Sequence, residues 1–107
     1  MNKNELEIVW IKQSVTSNGY EVTAHADKER QLDKITIDEL ESVLLKGEII
    51  ENYPDNPRGS SCLVLGYGRE GCPVHVVCGQ GLSGKLRIIT VYVPTLPKWI
   101  NPKVRRK

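Results

Sequence analysis

Three extended runs separated by two glycine-bounded turns constrain the fold of this chain more than any other feature. Residues 62–67, 73–78 and 86–93 read as strands. The turns between them, Gly68-Arg69-Glu70-Gly71 and Gly79-Gln80-Gly81-Leu82-Ser83-Gly84, make them consecutive antiparallel neighbours. A shorter strand at 48–52 precedes them, followed by the loop Tyr53-Pro54-Asp55-Asn56-Pro57-Arg58-Gly59. A loop with Tyr, Asp and Arg beside a sheet carrying His75 and Tyr92 brings together groups able to bind a phosphodiester and move protons.

The first half reads as helical. Leu6, Val9, Trp10, Ile11 and Val15 recur at helical spacing over 4–16, with Asn2 or Asn4 as the cap and Gly19 as the left-handed closing residue. Leu6, Ile8 and Trp10 also alternate, so a strand is the competing reading there. Residues 20–23 read as a brief extended link and 24–32 as a second, highly charged helix. Thr36-Ile37-Asp38-Glu39 has the form of a capping box, in which the threonine hydroxyl accepts from the Glu39 amide and the Glu39 carboxylate reaches back to the cap amide. Ile37, Leu40, Val43 and Leu44 continue that helix to Lys46, and Gly47 stops it. The expected fold is α+β, with amino-terminal helices packed on one face of a small antiparallel sheet.

With 107 residues, 39% of them hydrophobic and 26% charged, the chain suits one compact soluble domain. We assign the domain to 1–94 and a basic, proline-containing tail to 95–107. No apolar run approaches the roughly 18 residues of a membrane-spanning helix, and no secretory leader is recognisable. Cys62, Cys72 and Cys78 cannot all pair within one chain; they read as reduced thiols of a cytoplasmic protein, with Cys62 and Cys78 as small core fillers. Charge divides unevenly. Residues 1–53 hold six Lys/Arg against eleven Asp/Glu, whereas residues 54–107 hold nine against two. That asymmetry fits a face that meets a polyanion or an acidic partner, or simply helices rich in Glu and a solubilising end.

The blocks that follow belong together. His25-Ala26, Ile35-Thr36, the run from Leu44-Leu45-Lys46-Gly47 through Glu48-Ile49-Ile50-Glu51-Asn52-Tyr53-Pro54-Asp55, Pro57-Arg58-Gly59, Leu63-Val64-Leu65-Gly66, Pro73-Val74-His75-Val76-Val77 and Ile89-Thr90-Val91-Tyr92-Val93-Pro94 resemble, in order, the bacterial family known as domain of unknown function 4258. The resemblance implies kinship with RelE/ParE-like toxins of toxin–antitoxin systems. It therefore implies a RelE-like fold, messenger-RNA cleavage, and a cognate antitoxin, of zinc-finger and helix-turn-helix type in many neighbours of such genes. One departure stands out: the family usually places Arg four residues after the histidine, and here Glu29 holds that position, with Arg30 shifted by one and Asp33 a further four along.

Ribonucleases of this kind need no metal or cofactor, because the ribose 2′-hydroxyl attacks the adjacent phosphorus once a base takes its proton, an acid protonates the leaving oxygen and cations hold the phosphate. The expected catalytic residues are His25, Arg58, His75 and Tyr92; those expected to contact RNA or a ribosome are Lys28, Arg30, Arg69, Lys85, Arg87, Lys98 and Trp99. Each has a plainer role open to it. His75 alternates away from Val74 and Val76, where it faces water or bonds within the sheet. His25 caps or packs at a helix start, Arg58 pairs with Asp55, and Tyr92 packs beneath the helices. Pro97 and Pro102 make the tail resist regular structure, leaving Trp99 to stack on a base or pack back on the domain. Gly66-Tyr67-Gly68 and Gly79-Gln80-Gly81 are turn glycines rather than a nucleotide-binding loop, and two histidines without clustered carboxylates make a metal site a poor fit. The leading expectation is a metal-independent endoribonuclease toxin; the alternative is a non-catalytic module that binds protein or nucleic acid.

Overall fold

The computed structural model of the chain describes residues 6–54, 59–95 and 99–105, the positions 99, 100, 104 and 105 for the backbone alone. Helix α1 spans Ile8–Thr16, strand β1 Tyr20–Val22, α2 Ala24–Leu32 and α3 Ile37–Lys46. Strands β2 Glu48–Tyr53, β3 Ser61–Tyr67, β4 Pro73–Gln80 and β5 Leu86–Tyr92 follow, and β6 Trp99–Asn101 with β7 Val104–Arg105 closes the chain. The fold is α+β. Its five-stranded sheet runs β1-β5-β4-β3-β2. The pairs β2–β3, β3–β4 and β4–β5 are antiparallel, as the turn chemistry predicts.

The sheet is mixed rather than wholly antiparallel. Residues expected to be a link form β1, which adds to β5 in parallel with Tyr20 opposite Leu86 and Val22 opposite Ile88. The local pattern of three residues is too short to announce a strand; a partner 66 residues away supplies its hydrogen bonds. The tail also departs from expectation, because Trp99 pairs with Arg105 and Asn101 with Val104 in a two-stranded hairpin turning at Pro102 and Lys103. Proline at a turn costs no ladder bond.

Capping chemistry explains the helix ends. Thr23 and Thr36 accept from the amides of Ala26 and Glu39 at 3.0 and 3.1 Å. The Glu39 carboxylate does not complete the capping box; it accepts from the Arg69 amide at 3.0 Å, fastening the β3–β4 turn to α3. Helix α1 begins at Ile8 behind Glu7, later than expected, and Asn2 and Asn4 lie outside the described residues. Asn18 rather than Gly19 takes the left-handed conformation, at φ 57°. The Gly19 amide then donates to Ser14 and that of Asn18 to Val15, the paired bonds of a Schellman closure.

One core cluster joins Ile11 and Val15 of α1, Ala26 of α2 and Leu40, Val43 and Leu44 of α3 to alternate residues of the sheet. Those are Cys62 and Val64 on β3, Val74, Val76 and Cys78 on β4, and Leu86, Ile88 and Val91 on β5. A bulge explains the last step: Val77 pairs with Thr90 and Cys78 with Ile88, so Ile89 is the extra residue and Val91 returns to the helical face. Cys62 and Cys78 are buried free thiols, opposite one another with sulfurs 3.9 Å apart. Each stands in contact with the other in a buried layer, and this holds the Cys78 thiol well above its ordinary pKa.

The other face of the sheet is covered at one end. Glu48, Leu65, His75 and Tyr92 form a row across β2, β3, β4 and β5 there. The C-terminal hairpin reaches this row at two points, through the Pro102 carbonyl on His75 Nε2 at 2.6 Å and Lys103 Nζ on Glu48 Oε1 at 2.8 Å.

Candidate functional site

A cleft of about 490 Å³ opens where β3 begins and β4 ends. Its floor is the uncovered end of the sheet, with Ser61, Val77, Gly79, Arg87 and Ile89; its walls are Thr23 and His25 from the start of α2, Gly59 and Ser60 ahead of β3, and the turn after Gln80. The local sequence dictates this arrangement. Thr23 ties the helix start to the sheet, its amide donating to Ile88 O at 3.0 Å and its hydroxyl to Ile89 O at 3.3 Å, while its oxygen caps α2. His25 therefore sits in the first turn, displayed at the sheet edge with a side chain 69% exposed.

Glu29, one helical turn on, faces two groups. Its Oε1 accepts from the Val91 amide at 3.0 Å, and its Oε2 lies 3.3 Å from His25 Nε2. Asp33, a further turn along, accepts from the Val93 amide at 3.4 Å. Strand β1 pairs only with the first part of β5, so these two carboxylates satisfy the amides of Val91 and Val93 beyond the end of β1. Glu29 and Asp33 thus seal a strand edge. A cation there cannot accept from an amide.

Among the described residues, His25 and Arg87 are the two predicted site residues that share the cleft. Arg87 faces it from β5, opposite Gly79 and beside Ser61 in the same row. Lys85 is exposed just ahead of β5, and Lys28 is exposed one turn beyond His25. Arg58 and Lys98 lie outside the described residues, although Gly59, next to Arg58, lines the cleft.

The remaining predicted residues are elsewhere. Arg30 is spent on its own helix end: its guanidinium bonds Asp27 at 2.7–2.9 Å and the Ile35 carbonyl at 3.1 Å. Arg69 stands at the opposite end of the sheet, against Glu39 at 3.4 Å and the Lys34 carbonyl at 3.3 Å. The backbone of Trp99 lies in β6.

His75 is fully buried and does not line the cleft. It sits on the same strand face as Gly79 but four residues away, about 13 Å at about 3.3 Å per residue. Neither water nor helices claim it; the hairpin does. Since the Pro102 carbonyl only accepts, Nε2 carries the ring hydrogen, leaving Nδ1 to accept from the Tyr92 hydroxyl at 3.1 Å. The two rings meet edge-on, centroids 5.2 Å apart. Tyr92 is accordingly on the face away from the helices, because the bulge at Ile89 resets the alternation of β5.

Sequence reasoning missed Ser60, Ser61 and Gln80, polar groups that join the site only because β3 starts where β4 ends. It also missed Thr23 as the residue that places His25, although a threonine ahead of a charged helix is a legible cap signal. Among the described residues no group of three or more His, Cys, Asp or Glu side chains is placed to hold a metal ion. No helix among them is long and apolar enough to cross a membrane.

A family model described as domain of unknown function (DUF4258) matches residues 22–93, a stretch that runs from β1 to just beyond β5 and contains the cleft. No curated protein and no solved structure matches the chain.

Proposed function

The chain belongs to the DUF4258 family, and from that premise we propose that it is a metal-independent endoribonuclease of the RelE-like toxin type, acting on messenger RNA and neutralised by a cognate antitoxin. One observation carries the reading: an imidazole and a guanidinium, from different elements, face one open cleft that also offers serine and glutamine hydrogen-bonding groups. Arg87 holds two oxygens of the scissile phosphate through its planar fork. His25 takes the proton of the 2′-hydroxyl; the 2′-oxygen bonds to phosphorus, the bond to the 5′-oxygen breaks, and water protonates the departing alkoxide. The products are a 2′,3′-cyclic phosphate and a 5′-hydroxyl. In this reading His75 and Tyr92 hold the sheet to the hairpin and take no part in proton transfer.

The test uses purified protein and a labelled single-stranded RNA in the presence of a chelator. Wild type should cut to a cyclic-phosphate end, and His25→Ala and Arg87→Ala should each slow cleavage by roughly 10²-fold or more. In a bacterial host, induced expression should arrest growth, and the gene beside it should restore growth. Salt-sensitive RNA binding without cleavage by any of the three proteins would replace this reading with that of a non-catalytic binding module.

A further inference from the structure

We infer that Glu29 is a positioning residue that holds His25 in the tautomer whose Nδ1 accepts a proton, an inference that rests on the cleavage reading of the cleft. An exposed imidazole at a helix start rotates freely and populates both neutral tautomers, only one of which presents a basic nitrogen to a given point. Glu29 biases that choice. Its carboxylate is itself anchored, because Oε1 accepts from the Val91 amide at 3.0 Å while Oε2 faces His25 Nε2 at 3.3 Å. Both oxygens of an ionised carboxylate are negative and neither donates, so Oε2 at this distance favours the hydrogen on Nε2. Nδ1 is then the ring nitrogen free to take the 2′-hydroxyl proton.

The anchoring also fixes where that nitrogen sits. Val91 belongs to β5, the strand that carries Arg87 four residues earlier, and Thr23 bonds the same strand at Ile88 and Ile89. The proton acceptor and the phosphate cation are therefore referenced to one strand rather than to a mobile helix end. Arg30 on α2 is engaged by Asp27 and Ile35 and offers no substitute.

Glu29→Gln is the decisive variant. Val91 still requires an acceptor, so the amide oxygen turns toward it and the amide nitrogen toward His25, where it donates to Nε2. That forces the hydrogen onto Nδ1 with no change of shape. Nitrogen-15 NMR of the imidazole should report hydrogen on Nε2 in wild type and on Nδ1 in Glu29→Gln, with the Val91 amide resonance still hydrogen-bonded in both. Cleavage should fall roughly 10²-fold with substrate affinity little changed. The same tautomer in both proteins would overturn the inference whatever the cleavage rates. A switch of tautomer with equal cleavage would overturn it as well. A switch of tautomer in a protein that cuts no RNA in either form would uphold the orientation of His25 by Glu29 and sink the nuclease reading instead.

Discussion

His75 and His25 show how far the same side chain is governed by what surrounds it. His75 has no exposed surface and both ring nitrogens engaged, so removing it takes away the donor to the Pro102 carbonyl and the ring nitrogen that meets the Tyr92 hydroxyl. His75→Ala should cost about 2–4 kcal/mol of stability, from the cavity and the two lost hydrogen bonds together. Below the unfolding range it should leave the cleavage rate as it is. Urea unfolding and RNA cleavage measured on one preparation separate the two effects, and a lost rate with unchanged stability would return His75 to the site. His25 should behave in the opposite way, because a side chain 69% exposed contributes little to the fold.

At the scale of elements, the approach of α3 to β3 is the tightest constraint. A Cβ on Gly66 would lie 2.4 Å from the Val43 carbonyl oxygen, a contact between backbones that no rotamer relieves. Gly66→Ala should therefore destabilise by about 1–3 kcal/mol, seen as a lower urea midpoint, and an unchanged midpoint would mean that α3 does not lie on β3 as described. A second tie joins β1 to α3: the Tyr20 hydroxyl donates to Glu41 Oε2 at 2.5 Å. Partial burial and then the neighbouring carboxylate push the Tyr20 hydroxyl up from 10.0 to about 12. In the unfolded chain Tyr20 ionises near 10.0, before the folded form does, so its contribution is complete below that pH and is lost as pH rises toward about 12. Comparing wild type with Tyr20→Phe across that window should show the excess loss in wild type alone; parallel curves would remove Tyr20 from the account.

For the whole molecule, the hairpin is the part whose role changes most between pattern and fold. It closes the sheet face over His75 and pairs Lys103 with Glu48, a contact that raises the Lys103 pKa. Deletion after Val93 should uncover Leu63, Leu65 and His75, now buried on β3 and β4, and should lower the melting temperature as well as weaken RNA binding. Hydrogen exchange should accelerate along β3 and β4 in the truncated chain. Equal melting temperatures with weaker binding would make the tail a purely electrostatic arm.

Residue patterns over a few positions determined much of this protein. The Thr36 cap, the alternation that separates His75 from Val74 and Val76, and the pairing of β4 with β3 and β5 all follow from interactions within one turn or one hairpin. The kinship with DUF4258 was also legible, in blocks that coincide with β2 to β5. Tertiary structure alone decided what long separations decide: β1 beside β5, Glu29 on the Val91 amide and the hairpin on His75. None of these partners is a sequence neighbour, and each contact depends on backbone groups, which every residue type carries alike. Side-chain periodicity therefore does not record them. The cleft follows the same rule, since His25 and Arg87 lie far apart in the chain and line it together only because α2 is bonded to the strand that carries the arginine.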